Sequence, residues 1–191
     1  MSRVVLIAGF LFLIPILLYH RIRSQATGEP LDRRLEGPLI LYTLRPLGLV
    51  FMIGLIAYLV DPSNMQWSSV PLPGKVKALG VASFAAGGLL LIWTLRTLGK
   101  NLTDTVVTRR EHTLVLHGPY RWVRHPFYDA VLLILLGVSL IAANWFLLLV
   151  GTSVLALIWM RTRKEEELLL ARFGSPYREY MRRTGRFFPR R

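Results

Sequence analysis

Four apolar runs decide what this chain can become. Residues 4–19, 39–60, 76–98 and 127–159 are almost wholly apolar, and the charged residues gather in blocks between them. A helix rises about 1.5 Å per residue, so about 20 apolar residues cross the hydrocarbon core of a bilayer. The runs 39–60 and 76–98 meet that length, and 4–19 is a short version of it with Pro15 near its end. The run 127–159 is too long for one helix and is interrupted at Ala142-Ala143-Asn144. Splitting it there predicts a short helical hairpin with arms of about 15 residues, each covering about 22 Å. The expectation is an all-α membrane protein with about five transmembrane helices. The run 4–19 differs from a signal peptide, because no small-x-small cleavage site follows it and His20, Arg21 and Arg23 lie on its C-terminal side.

Within this frame a few positions stand out. The third run carries Ala78, Gly80, Ala82, Ser83, Ala85, Ala86, Gly87 and Gly88. Small residues let a neighbouring backbone come close, which places that helix centrally. Arg45 sits about two turns into the second run, where its long side chain can snorkel to the interface. The connector 61–74 holds Trp67, a candidate interfacial anchor. Residues 103–108 read as an extended Thr/Val stretch.

The chain has 191 residues, 53% of them hydrophobic, and a formal net charge of +13. That length suits one integrated domain, in which residues 1–98 supply three membrane helices and residues 99–191 supply a polar segment, the hairpin and a C-terminal cap. A basic balance fits nucleic acid in a soluble domain, but no such domain of this size buries runs like these, so no nucleic-acid partner is expected. There are no cysteines, hence no disulfide, thiolate metal site or cysteine nucleophile.

Charge placement gives an orientation. Apart from Arg3, Arg45, Lys75 and Lys77, the remaining 20 of the 24 Lys and Arg fall after the first run, between the third and fourth helices, or in the C-terminal region. The positive-inside rule then sets the N-terminus outside and the C-terminus in the cytoplasm. It also puts residues 112–128 and 161–191 on one cytoplasmic face, where they can meet.

Those two segments carry the chemistry. In 112–128, His112, His117 and His125 are interspersed with Tyr120, Trp122 and Tyr128, and Gly118 supplies a turn. Pro126 belongs in the first turn of a helix, which makes His125 the N-cap. A helix start offers unpaired N–H groups to an anion such as a carboxylate. The bland reading of His125 is a capping group, and a metal reading lacks the His-carboxylate spacing on one helix face, so no metal is expected. Glu165, Glu166 and Glu167 follow Arg161, Arg163 and Lys164. A solvated charged turn with Arg161–Glu165 and Arg163–Glu167 pairs is the plain reading. Successive helical residues turn by about 100°, however, so one of the three glutamates can face the polar segment while the others face water. Asp129 reads as a favourable charge at a helix start. The closing Arg182, Arg183, Arg186, Arg190 and Arg191 read as contacts to anionic lipid headgroups. There is no GxGxxG after a strand, no P-loop and no GxSxG.

The ordered set His112-Thr113-Leu114-Val115, Gly118-x-Tyr120, Arg124-His125-Pro126-x-Tyr128, a helical hairpin, Glu165-Glu166-Glu167-Leu168-Leu169, Phe173-Gly174, Tyr177-x-x-Tyr180 and Thr184-Gly185-Arg186-Phe187-x-Pro189 resembles the isoprenylcysteine carboxyl methyltransferase family and its prokaryotic members. The resemblance covers roughly the C-terminal half. It implies a membrane enzyme that uses S-adenosylmethionine, leaves S-adenosylhomocysteine, and holds the cofactor beneath a cytosolic C-terminal helical cap. It further implies that His112, Leu114, Val115, Tyr120, His125, Pro126 and Tyr128 line the cofactor along the turn at Gly118, and that Glu166 contacts it from the next helix. An arginine one turn before that glutamate meets the substrate carboxylate in the family. Thr162 stands four residues before Glu166 here, flanked by Arg161 and Arg163, and Arg161 takes the assignment. Asp129-Ala130 departs from the apolar-glycine pair common in relatives.

The implied acceptor is lipophilic or lipidated and enters from the bilayer. A carboxylate is ionised at pH 7 and needs no general base, so positioning and desolvation carry the catalysis. An amine, as on a phospholipid, or a thiol must lose a proton, with His117, His125, Asp129 or Glu165 as candidate bases. Two rival readings are an NADPH-dependent reductase like the sterol reductases, whose C-terminal half is similar, and a non-enzymatic membrane scaffold.

Overall fold

The computed structural model describes residues 2–25, 38–99 and 113–190. Helix α1 spans Ser2–Gln25, α2 Pro38–Val60, α3 Gly74–Leu98, α4 Pro126–Ala142, α5 Trp145–Phe173 and α6 Ser175–Arg183, with short 3-10 turns at Pro62–Ser68 and Gly118–Arg121. Helices α1, α2, α3 and α5 are long and apolar enough to cross a membrane, and α4 is a shorter apolar helix. The expected five-helix count is met. The residues 103–108, read as extended, and His112 lie outside the described residues.

Helix α3 is the centre of the bundle. Its most apolar stretch is 44% buried, against 11% for α1 and 22% for α2 and α5. Against it lies α4, and the contact is backbone on backbone. A Cβ built on Gly137 would sit 2.6 Å from the Phe84 nitrogen, and one on Gly87 would sit 2.9 Å from the Ala130 carbonyl oxygen. The Ser83 hydroxyl donates to the Leu133 carbonyl oxygen at 2.8 Å across the same seam. Without a hydrophobic force between helices in lipid, close packing and interhelical hydrogen bonds hold them together. The small residues of the third run therefore do what their spacing implies, with Gly137 as the complementary gap on α4.

The hairpin breaks where the sequence places the break, for a reason visible at two residues. Ala143 ends α4 in the left-handed region at φ 49°. Asn144 caps α5, its side-chain oxygen accepting from the Leu147 N–H at 3.0 Å. The same side chain donates to the Met65 carbonyl at 3.2 Å and the Ser68 hydroxyl at 2.7 Å, tying the hairpin to the turn after α2. Beside it Trp67 meets Trp145 edge to face at 5.6 Å. Trp67 is 61% exposed, as an interfacial anchor should be.

The hairpin's arms are unequal, unlike the expected pair of about 15 residues. Helix α4 has 17 residues and α5 has 29. At about 1.5 Å per residue α5 is about 43 Å long, well beyond a hydrocarbon core of about 30 Å. Nothing between Met160 and Phe173 breaks a helix, since Lys, Glu, Leu and Ala are all strong helix formers. The apolar part 145–160 thus runs straight into the charged part 161–173, which stops only at Gly174 with φ +59°. Helix α1 likewise continues past its apolar run to Gln25, so Pro15 lies mid-helix.

Candidate functional site

The polar end of α5 meets the start of α4. Pro126 opens α4, and His125 occupies the N-cap position without a side-chain capping bond. Its ring turns to α5, placing Nε2 3.2 Å from Glu166 Oε1. Arg124 Nε donates to the same oxygen at 2.8 Å. Arg186, from the tail, donates to Oε2 through Nε at 3.1 Å and through a second, shorter bond from its terminal nitrogen. The two segments read as facing one another therefore close on a single carboxylate, which is 4% exposed.

Around it the three glutamates separate as helix geometry requires. Glu167 is exposed and pairs with Lys164 at 3.2 Å. Glu165 is 25% exposed and accepts from the Tyr128 hydroxyl at 2.8 Å. Glu166 points inward. Of the three, Glu167 is the one that fits a solvated pair along the helix, with Lys164 as its partner.

The tail is built into the site. Val123 and Gly185 form a parallel bridge, with the Arg124 N–H on the Gly185 carbonyl at 2.9 Å and the His125 N–H on the Arg186 carbonyl at 3.1 Å. Arg124 also donates to the Met181 and Thr184 carbonyls, which caps the end of α6. The His125 ring stacks on Tyr128, with centroids 5.5 Å apart and planes 17° apart, and Phe187 lies 5.8 Å away on the tail. From α6 the Tyr180 hydroxyl donates to the Tyr120 carbonyl at 2.7 Å.

Electrostatics follow from this packing. Glu166 lies beyond the apolar part of α5. Burial alone would raise its carboxyl, but hydrogen bonds from His125, Arg186 and Arg124 outweigh that and hold it well below the usual carboxylate range. Burial and the Glu165 carboxylate push the Tyr120 phenol well above its ordinary value, so it stays protonated. Burial, then Glu166, does the same to Tyr177, whose hydroxyl has no hydrogen-bond partner among the described residues.

Leu114, Val115, Tyr120 and Tyr128 are all half-buried. Gly118 has φ +60°, and an added Cβ would lie 2.6 Å from Thr97 Oγ1, so a turn and a close approach both require glycine there. His117 is exposed and takes no part in the network around Glu166. Arg161 is half-buried on α5, within electrostatic reach of the Tyr128 hydroxyl. Two residues that sequence reasoning left out of the site are Arg124 and Arg186. Arg186, expected among the lipid-facing arginines, instead faces Glu166. The Thr184-Gly185-Arg186-Phe187 motif was the available signal.

Residues 78–171 match the model of the isoprenylcysteine carboxyl methyltransferase (ICMT) family. Over 108 residues the chain is 33% identical to a cobalt-zinc-cadmium resistance protein of Cupriavidus metallidurans, covering 52% of this chain and 50% of that protein. Over 127 residues it is 28% identical to the human protein-S-isoprenylcysteine O-methyltransferase, covering 63% of this chain and 44% of the relative. These matches span about half the length of the curated relatives. A solved structure of the eukaryotic intramembrane Ras methyltransferase ICMT superposes on 99% of this chain and 68% of its own, with a TM-score of 0.55 at 21% identity, which is a likeness of fold. With its apolar helices, the family match makes this a multi-pass integral membrane protein.

Proposed function

We propose that the chain, whose residues 78–171 match the isoprenylcysteine carboxyl methyltransferase family, is a membrane methyltransferase using S-adenosylmethionine, with a carboxylate on a lipophilic molecule from the bilayer as preferred acceptor. One observation carries the reading: the start of α4 and the charged end of α5 close on each other at His125 and Glu166, 3.2 Å apart, beyond the apolar part of the bundle. That pocket wall mixes aromatic faces, a reachable carboxylate and guanidinium charge.

The residues fit the cofactor's chemistry. S-adenosylmethionine, when bound, supplies an electrophilic methyl group on a sulfonium. Its amino group and ribose hydroxyls need acceptors, and Glu165, 25% exposed and oriented by Tyr128, is a reachable carboxylate. Its own carboxylate suits the start of α4, where helix N–H groups and Arg124 concentrate positive potential. Leu114, Val115, Tyr120 and Tyr128 line the way between. Glu166, with both oxygens engaged, acts in this reading by holding Arg124, His125 and Arg186 in place. Arg161, one turn before Glu165, orients the acceptor carboxylate. An ionised carboxylate held there would need no proton removed to take the methyl group as an ester, so the residues at this site need supply no general base. The chain's contribution is alignment and exclusion of water.

Calorimetry on the full chain in detergent is the direct test. S-adenosylhomocysteine should bind, and Glu165→Gln and His125→Ala should each weaken it about tenfold or more, as expected for charge-assisted contacts. Binding of NADPH with none of S-adenosylhomocysteine would replace this reading by a reductase. Transfer of labelled methyl into membrane extracts, with base-labile label marking an ester, identifies the acceptor class.

A further inference from the structure

A second place in the molecule has the make-up of a ligand site and plays no part in the reading above. Helix α1 packs tightly on α3 in its first half. A Cβ on Gly9 would collide with the Phe84 ring at 2.3 Å, and one on Gly88 would touch Leu13 at 3.3 Å. Pro15 then interrupts the hydrogen-bond ladder of α1. Below that point a cavity of about 410 Å³ opens between the helices, lined by Pro15, Ile16, Tyr19, His20 and Arg96. Leu17, on the neighbouring side of α1, still packs against the cluster of Leu91, Leu95 and Ala130, so the cavity is a cleft between packed helices.

The lining has a direction. Ile16, Tyr19, His20 and Arg23 share one stripe of α1 at helical spacing, running from apolar to aromatic to basic. Arg23 donates to the Tyr19 hydroxyl at 3.3 Å, and the rings of Tyr19 and His20 meet edge to face at 5.3 Å. Across the cleft Arg96 closes the polar end. Arg96 and Arg23 both lie within electrostatic reach of His20, and among the described residues Arg96 forms no ion pair with a carboxylate. The polar end is on the same side of the bundle as the site above, because Thr97, next to Arg96, touches Gly118. A cleft with an apolar floor at bilayer depth and two guanidiniums and an imidazole at its rim complements an amphiphile with an anionic head.

We propose that the cleft between α1 and α3 binds one acidic phospholipid of the surrounding leaflet, its phosphate held by Arg96 and His20 with Arg23 behind them, and an acyl chain lying along Pro15 and Ile16. Tyr19 marks the level of the glycerol region, where amphipathic aromatic side chains prefer to sit. The lipid fills the gap that Pro15 opens and joins α1 to the central helix.

The test is lipid retention by the full chain, purified from vesicles of phosphatidylcholine with one-fifth phosphatidylglycerol and read by native mass spectrometry. One phosphatidylglycerol per chain should be retained in preference to phosphatidylcholine, and Arg96→Gln should lower its affinity about fivefold, with His20→Gln adding to the loss. Arg182→Gln with Arg183→Gln, exposed on α6, should leave retention unchanged, which separates a seated lipid from general attraction to a basic protein. Equal retention of the two lipids by the wild type overturns the proposal without reference to any variant. So does equal loss from the α6 variant, or displacement of the lipid by millimolar inorganic phosphate, which would place recognition on the phosphate alone. Because the readout is lipid and not S-adenosylhomocysteine, the outcome is independent of the methyltransferase reading.

Discussion

Replacing Glu166 by glutamine keeps its shape and removes the charge shared by two guanidiniums and an imidazole. Breaking a buried ion network by deleting one partner costs about 3–5 kcal/mol, mostly because the remaining charges stay buried without compensation. Glu166→Gln should therefore lower the thermal midpoint in detergent sharply, and S-adenosylhomocysteine affinity with it. Tyr128→Phe removes one hydrogen bond, to the partly exposed Glu165, and should cost only about 0.5–1.5 kcal/mol. The two variants thus separate a residue that holds the wall from one that meets the ligand. The pH dependence has a definite sign. The folded carboxyl of Glu166 titrates below its ordinary value of 4.5, so the unfolded chain binds the extra proton. Its stabilisation is complete above about pH 5 and is lost as pH falls through the carboxylate range toward the lower folded value. Thermal midpoints of the wild type should fall in acid more steeply than those of Glu166→Gln, and parallel curves would remove Glu166 from this role.

At the scale of elements, the seam between α3 and α4 rests on absent side chains. A methyl on Gly137 would sit 2.6 Å from backbone nitrogen, which no rotamer change relieves. Gly137→Ala should force the helices apart and destabilise the protein by about 1–3 kcal/mol, while Gly48→Ala, with nothing within 4 Å, should be tolerated. Circular dichroism melts of the two variants make the comparison. Much of this level was legible in the sequence: the small residues on α3, the turn at Gly118, the break at Ala142-Ala143-Asn144 and the opening of α4 at Pro126 all follow from backbone chemistry within a few residues. The unbroken α5 is legible too, since 161–173 lacks any breaker before Gly174 and the change from apolar to charged marks only the end of the membrane-facing part, not the end of the helix. The ion network was not legible in the same way. Arg186 is 20 residues from Glu166 and Arg124 is 42, and only the fold decides which of many arginines meets the buried acid.

For the whole molecule, orientation is the property that joins the two functional proposals, since both sites lie at one end of the bundle. The turn Pro62–Ser68 sits at the opposite end, fixed to the start of α5 through Asn144, while α6 follows the far end of that same helix, about 43 Å away. If the basic residues face the cytoplasm, the 62–68 turn must face outward. The chain contains no cysteine, so single cysteines can be introduced without first altering the protein. Ser63→Cys, at an exposed position on that turn, should react with a membrane-impermeant maleimide added to intact cells. Arg178→Cys, exposed on α6, should react only after the membrane is permeabilised. The reverse pattern would put the pocket of Glu165 and Tyr128 on the side away from cytoplasmic S-adenosylmethionine, and the proposed reaction would lose its methyl source even if the fold and the ion network stood unchanged.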